Sequence, residues 1–227
     1  MDEPGVPEPE LLAALGYIRR VNRYLGYTRA TRNRLRPWLT GRAVTLLDVA
    51  TGSGDVPEDL QRYFPGVRLV GLDMHAVTIA EAARRVPGCA FVRGDALRLP
   101  FADASVDFVI CSLFLHHLPE EQIVAVMAEM WRVARRGVLA ADLLRSRRAL
   151  AWITLLTLTS PPMIRHDARA SVRAALTATE VLALARRAGW HSPVLRRHLA
   201  HRFTLAAVKP SPGGDVPAGD AGDAGRP

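Results

Sequence analysis

Apolar positions along this chain switch between two periods. Residues 10–25 carry Leu11, Leu12, Leu15, Ile18, Val21 and Leu25, a spacing that predicts an amphipathic helix. A second helix is predicted over 28–39, its end weakened by Pro37. From residue 44 onward, short and almost wholly apolar runs alternate with helical patterns. The runs lie at 44–49, 67–72, 89–93, 106–111 and 136–142, with helices at 56–64, 76–86 and 120–134 between them. Such runs read as strands, and a strand–helix–strand rhythm implies parallel pairing through right-handed crossovers with helices on both faces. The pattern changes after 143. An apolar helix at 149–159 is stopped by Pro161-Pro162, and a polar turn follows at Ile164-Arg-His-Asp167. Thr179 is placed to cap a helix that Gly189 ends. Two more strands, 193–198 and 202–208, close the sheet as a hairpin. The predicted class is α/β: a doubly wound, seven-stranded sheet, mostly parallel, with a C-terminal antiparallel hairpin.

Composition limits the rest. The chain has 227 residues, 49% of them hydrophobic, enough for one domain with a proper core over 10–209. Within it, 10–40 is expected to form an N-terminal helical cap and 143–178 a helical lid insert after strand five. The acidic, proline-rich residues 1–9 and the Pro/Gly/Asp/Ala-rich 210–227 are expected to be disordered. The N-terminus lacks the features of a secretory signal, and no run reaches the roughly 18 apolar residues that span a membrane. Net charge is +8, nearly all from arginine, with Lys209 the only lysine. The arginines stand singly or in pairs, without a dense cluster, so no nucleic-acid partner is expected. Arg145, Arg147 and Arg148 precede the apolar helix without implying stable membrane anchoring. Cys89 and Cys111 fall inside apolar runs as buried thiols, in no metal-type spacing, which suits a reduced cytoplasmic setting.

The chemistry gathers at the carboxyl ends of successive runs, where open parallel sheets bind ligands. Val44-Thr-Leu-Leu47 leads into Asp48-Val-Ala-Thr-Gly52-Ser-Gly54-Asp55, a strand that ends in a glycine loop and enters a helix. Glycines let a backbone approach a nucleotide-like ligand closely. Pro57 stands where a dinucleotide fingerprint needs its third glycine, which disfavours an NAD-dependent oxidoreductase. Asp48 and Asp55 would repel a pyrophosphate. They suit a ligand with ammonium and hydroxyl groups and no phosphate, such as S-adenosylmethionine. Asp73, 19 residues after Gly54, is spaced to bond both ribose hydroxyls. Gly94-Asp95-Ala96 offers a carboxylate to an adenine amino group and the Ala96 backbone to the ring edge. Ser112-Leu-Phe-Leu-His-His-Leu-Pro119 would line the far side.

On these residues the chain resembles the class I S-adenosylmethionine-dependent methyltransferases, specifically over 40–142 and loosely over 10–208. Gly94-Asp95-Ala96-Leu-Arg-Leu-Pro-Phe101 and Ser105-Val-Asp-Phe108 are similar to the small-molecule, ubiquinone/menaquinone methyltransferase-like group. The family loop usually reads Asp-x-Gly-x-Gly-x-Gly; here Ala50 replaces its first glycine. The resemblance implies a Rossmann-like fold. It also implies a cofactor site in which Asp48, Gly52 and Gly54 hold the methionine end, Asp73 takes the ribose and Asp95 and Ala96 the adenine, with Ala50, Thr51, Met74 and Ser112 also lining the cofactor.

Methyl transfer needs positioning above all, with a general base where the acceptor must lose a proton. The candidate bases are His116, His117 and His166, the last beside Asp167. An acceptor pocket walled by Tyr17, Tyr24, Tyr27, Trp152, Ile153, Leu155, Leu156 and Met163 would suit a small hydrophobic or aromatic molecule, with Arg173 available to an anionic one. The expected activity is O-methylation, with C-methylation of a quinone-like or polyketide acceptor as the alternative. A non-catalytic cofactor-binding protein is a third reading. The segment Cys111-Ser-Leu-Phe114 lacks the Asn-Pro-Pro-Tyr pattern of amide or nucleobase N-methylation. A monomer or homodimer acting on a small-molecule substrate is expected.

Overall fold

The computed structural model describes residue 16 and residues 27–39, 43–159 and 162–210, with Pro162 and Met163 described by backbone alone. The expectations for 1–9 and 211–227, and nearly all of the helix at 10–25, lie outside the described residues. The first described element is helix α1 (Tyr27–Leu39). It is followed by β1 (Thr45–Val49), α2 (Asp55–Tyr63), β2 (Arg68–Asp73), α3 (Ala76–Arg85), β3 (Ala90–Arg93) and β4 (Val106–Ser112). A short 3-10 turn at Leu115–His117 leads to α4 (Glu120–Val133) and β5 (Ala134–Leu143). The chain ends with α5 (Arg147–Leu156), α6 (Pro162–Ala174), α7 (Ala178–Arg187), β6 (Val194–His198) and β7 (Arg202–Val208).

The strands form one sheet in the order β3-β2-β1-β4-β5-β7-β6. Each pairs in parallel with its neighbour up to β5, and β7 runs antiparallel to both β5 and β6. Strand order reverses between β1 and β4, which opens a crevice above their carboxyl ends. Both faces of the central strands are covered, which explains their unbroken apolar runs. One face packs Leu47, Val49, Val109 and Val138 against Ile123, Met127 and Met130 of α4 and Val181 and Leu184 of α7. The other packs Leu46, Phe108, Ile110 and Leu139 against Leu35 and Leu39 of α1 and Val56 and Leu60 of α2. Trp38 stacks on Phe108 with ring centroids 4.9 Å apart, so α1 continues through Pro37 to reach the sheet.

Two local readings are corrected. The segment 164–167 is helix, not turn, because Pro162 begins α6 instead of only stopping α5. A first helical position needs no N–H partner and its fixed φ suits a helix, so proline is at home there. The cap of α7 is Thr177, not Thr179. Thr177 lies three residues before Glu180, and the two close a reciprocal capping box. Cys89 is buried but precedes β3, while Cys111 lies within β4.

Candidate active site

Asp48 is the fourth residue of β1 and only 1% exposed. Its Oδ2 accepts from the Thr51 hydroxyl at 2.7 Å, whereas Oδ1 is buried with no partner. Burial drives its carboxyl up to about 7; the Thr51 bond opposes this, and the charges of Asp73 and Asp55 add to it. A buried carboxylate with one oxygen unmet is poised for a cation. The loop that follows turns through three left-handed residues, Ala50 (φ 55°), Gly52 (φ 55°) and Gly54 (φ 77°). At Gly54 a Cβ would come within 3.3 Å of Val86, so helix packing and backbone angle both select glycine. Around Gly52 a Cβ would meet nothing within 4 Å, which is open room for a ligand. Ala50 adopts the same backbone angle without being glycine, a strain that characteristically collects at functional sites.

Asp73 ends β2 and ties two loops together. Its Oδ2 accepts from the Gly52 N–H and its Oδ1 from the His75 N–H, both at 3.0 Å. The side chain is thereby fixed over the glycine loop, with lone pairs left for hydroxyl donors. Met74 beside it is exposed. Asp95 is exposed and caps its own turn by accepting from the Leu97 N–H at 2.9 Å, while Ala96 is buried. Asp55, read from sequence as a second ligand-facing acid, is engaged elsewhere: Arg85 bridges it at 3.1 Å and also pairs with Glu58. The anionic character of the loop therefore rests on Asp48 and Asp73. An orphaned buried carboxylate oxygen, open room at Gly52 and an immobilised Asp73 together fit a cofactor with an ammonium and a ribose diol. Among the described residues no cluster of His, Cys, Asp and Glu is arranged to hold a metal.

The candidate bases separate sharply. His116 is buried after β4, and its Nδ1 lies 2.7 Å from Oδ1 of Asp142. Asp142 is 2% exposed at the carboxyl end of β5 and also accepts from the backbone N–H of Leu143 at 2.6 Å. Burial pulls the His116 imidazole toward the neutral form, yet the charge of Asp142 and its hydrogen bond outweigh this and leave its pKa raised. The His117 ring lies 4.1 Å from that of His116. His166 does pair with Asp167, at 3.5 Å, but its side chain is 80% exposed on α6. The expected His–Asp pair is thus formed, but on the solvated surface of α6, whereas the His116–Asp142 pair is buried.

The expected acceptor wall is present only in part. Tyr17 and Tyr24 lie outside the described residues, as does the Met163 side chain. Tyr27 is buried, and its hydroxyl donates to the Ala141 carbonyl at 3.0 Å beside Ser112. Trp152 is half-buried with its ring 6.0 Å from His201. Leu155 and Leu156 face solvent, not a pocket, and Arg173 is exposed. Sequence reading passed over Asp142 and Arg202. The rule that selects Asp48 and Asp73, an acid near the end of an apolar run, selects Asp142 equally well.

Comparison with known proteins agrees with this geometry. Residues 46–137 match the family model described as a methyltransferase domain. The chain is thus similar to methyltransferase domains over 92 of its 227 residues. It is 45% identical over 92 residues to a demethylmenaquinone methyltransferase of Beutenbergia cavernae, covering 40% of this chain and 37% of that protein. To the protein of the same name from Roseiflexus castenholzii it is 36% identical over 129 residues, covering 55% and 52%. The chain thus matches about half or less of the length of these relatives. Two solved structures share the fold. Human N-acetylserotonin methyltransferase in complex with S-adenosylmethionine aligns with TM-score 0.67 and 16% identity over 90% of this chain and 57% of that one. A methyltransferase from Aquifex aeolicus aligns with TM-score 0.65 and 17% identity over 86% and 97%. Class I S-adenosylmethionine-dependent methyltransferases are therefore the group to which this domain is similar in sequence and in fold. Among the described residues no helix is long and apolar enough to cross a membrane.

Proposed function

We propose that this protein transfers a methyl group from S-adenosylmethionine to a small aromatic acceptor bearing an ionisable hydroxyl. The observation that carries the reading is the convergence of Asp48, Asp73 and the His116–Asp142 pair on the carboxyl edge of β1, β2, β4 and β5. When bound, the cofactor supplies an activated methyl on sulfur. The protein then has to hold it, exclude water and manage one proton. Asp48 would receive the ammonium and Asp73 the ribose hydroxyls. Asp142 keeps the Nδ1 proton of His116 in place, which turns Nε2 into the basic nitrogen. Removing the hydroxyl proton gives a phenolate, whose charge is shared between oxygen and ring carbons. One base therefore serves O- or C-methylation. The relatives named as demethylmenaquinone methyltransferases favour a quinone-like acceptor and the carbon outcome, against the oxygen outcome expected from sequence.

Calorimetry tests the cofactor reading: S-adenosylmethionine is expected to bind at micromolar concentration and NAD not at all. The reverse preference would sink it. Incubation with isotopically labelled cofactor and hydroxylated aromatics, read by NMR of the product, tells a methoxy carbon from a ring methyl. At the ribose position, Asp73→Ala is expected to weaken cofactor affinity at least tenfold, since it removes the diol acceptor and releases the Gly52 loop. Unchanged affinity in that variant contradicts the ribose assignment.

A further inference from the structure

Arg202 opens β7, paired in register with Leu143 at the carboxyl end of β5. It is 4% exposed, and its Nε and Nη1 are buried with no hydrogen-bond partner. Buried guanidinium groups are normally met by carboxylates or carbonyls, because an uncompensated charge in a low-dielectric interior is costly. Among the described residues, the group meets a ring and the charge of Asp142. The guanidinium lies over the Tyr27 ring, 5.1 Å from its centroid, and Asp142 acts on it electrostatically without an ion pair. Burial accordingly pulls its pKa down.

Another unmet polar atom and two aromatic side chains lie in the same region. The buried Ser112 Oγ, next to the Tyr27 phenol, also makes no hydrogen bond of normal geometry. Trp152 reaches the neighbouring residue, with its ring 6.0 Å from that of His201. Ser112, Tyr27, Asp142 and Arg202 come from β4, α1, β5 and β7, and all lie at the edge that carries His116. A buried guanidinium with unmet N–H groups favours a carboxylate over a neutral hydroxyl, since a hydrogen bond between two charged groups is the stronger one.

We propose that Arg202 anchors the carboxylate of the methyl acceptor, which makes the preferred substrate an aromatic hydroxy acid. This rests on the methyltransferase reading and adds its substrate class. It departs from the quinone-like acceptor that the relatives' names favour: a neutral quinone would leave the guanidinium unmet, so charge at this position sets the specificity.

The test uses the full chain saturated with S-adenosylhomocysteine, whose binding is first confirmed by calorimetry. Two probes of equal size, 2-naphthoate and 2-naphthamide, are then titrated. Naphthoate is expected to bind at least tenfold more tightly. Arg202→Met is expected to abolish that preference, and Arg202→Lys to restore part of it, while S-adenosylhomocysteine affinity stays within twofold. Equal affinity of the two probes, or no binding of naphthoate at millimolar concentration, overturns the proposal. That contrast is read on the wild-type protein, so it holds even if a variant fails to fold. Failure of S-adenosylhomocysteine itself to bind would instead count against the methyltransferase reading.

Discussion

Asp48→Asn is expected to weaken S-adenosylmethionine binding about 10–100-fold while making the cofactor-free protein more stable. Both effects come from one buried carboxyl. Losing a charge-assisted hydrogen bond costs roughly 1.5–3 kcal/mol of binding. The stability gain follows from linkage. Burial first, then the charges of Asp73 and Asp55, raise the folded-state pKa from 3.8 to about 7, against the pull of the Thr51 hydroxyl. Between those values the folded protein holds a proton that the unfolded chain releases. Stability is therefore full below about pH 4, falls as pH rises toward 7, and is flat above. Three units correspond to about 4 kcal/mol. Asparagine is neutral throughout, so that slope should vanish from the variant. Denaturant unfolding at pH 5 and pH 8 measures it.

Cofactor binding should run the other way with pH. An ammonium beside Asp48 favours the ionised carboxylate, so binding below pH 7 must expel a proton. Affinity is expected to rise between pH 5 and pH 7 and then level. Calorimetry at pH 6 in two buffers of different ionisation enthalpy should show proton release in the wild type and none in Asp48→Asn. Affinity that does not change with pH, or a variant that binds as the wild type does, removes Asp48 from the ammonium site.

The sheet was readable because its central strands are buried on both faces and therefore largely apolar. β7 falls at 202–208 as its pattern predicts, and the other strands differ from expectation by a few residues at their ends. The helices after β5 were less legible for a chemical reason. Proline is both a helix breaker and a helix opener, and nothing local to Pro161-Pro162 says which role applies. Two threonines two residues apart compete to cap α7, and the position of Glu180 decides between them. In the candidate site, local geometry set by the chain just around it was legible: Asp48 near the end of β1, the glycine turns at Gly52 and Gly54, and Asp73 ending β2. The partners that matter for a base are set by long-range packing. His116 meets Asp142 across 26 residues, and Tyr27 meets Ala141 across 114. No spacing rule reaches that far. His166 shows the converse. An adjacent His–Asp pair is conspicuous in sequence, yet adjacency on an exposed helix gives neither burial nor orientation.

His116→Ala and Asp142→Asn are each expected to lower turnover by roughly 10²–10⁴-fold, with cofactor affinity within twofold of wild type. The double variant should be little worse than either single one, because the two residues act as a unit. The pH profile distinguishes this from a loss of fold. A base must be neutral to accept a proton, so activity rises as His116 deprotonates. Burial favours the neutral ring, but the charge and hydrogen bond of Asp142 prevail, so the rising limb of kcat/KM should lie above pH 6.5, the ordinary value for histidine. In Asp142→Asn burial acts alone, and the limb should move below that value even as the maximum falls. A purely structural role for Asp142 would lower the maximum without moving the limb. His166→Ala, which changes only an exposed side chain, is expected to keep wild-type turnover. If instead His166→Ala loses activity while His116→Ala keeps it, the base lies on α6 and the buried pair serves only to brace the strand tips.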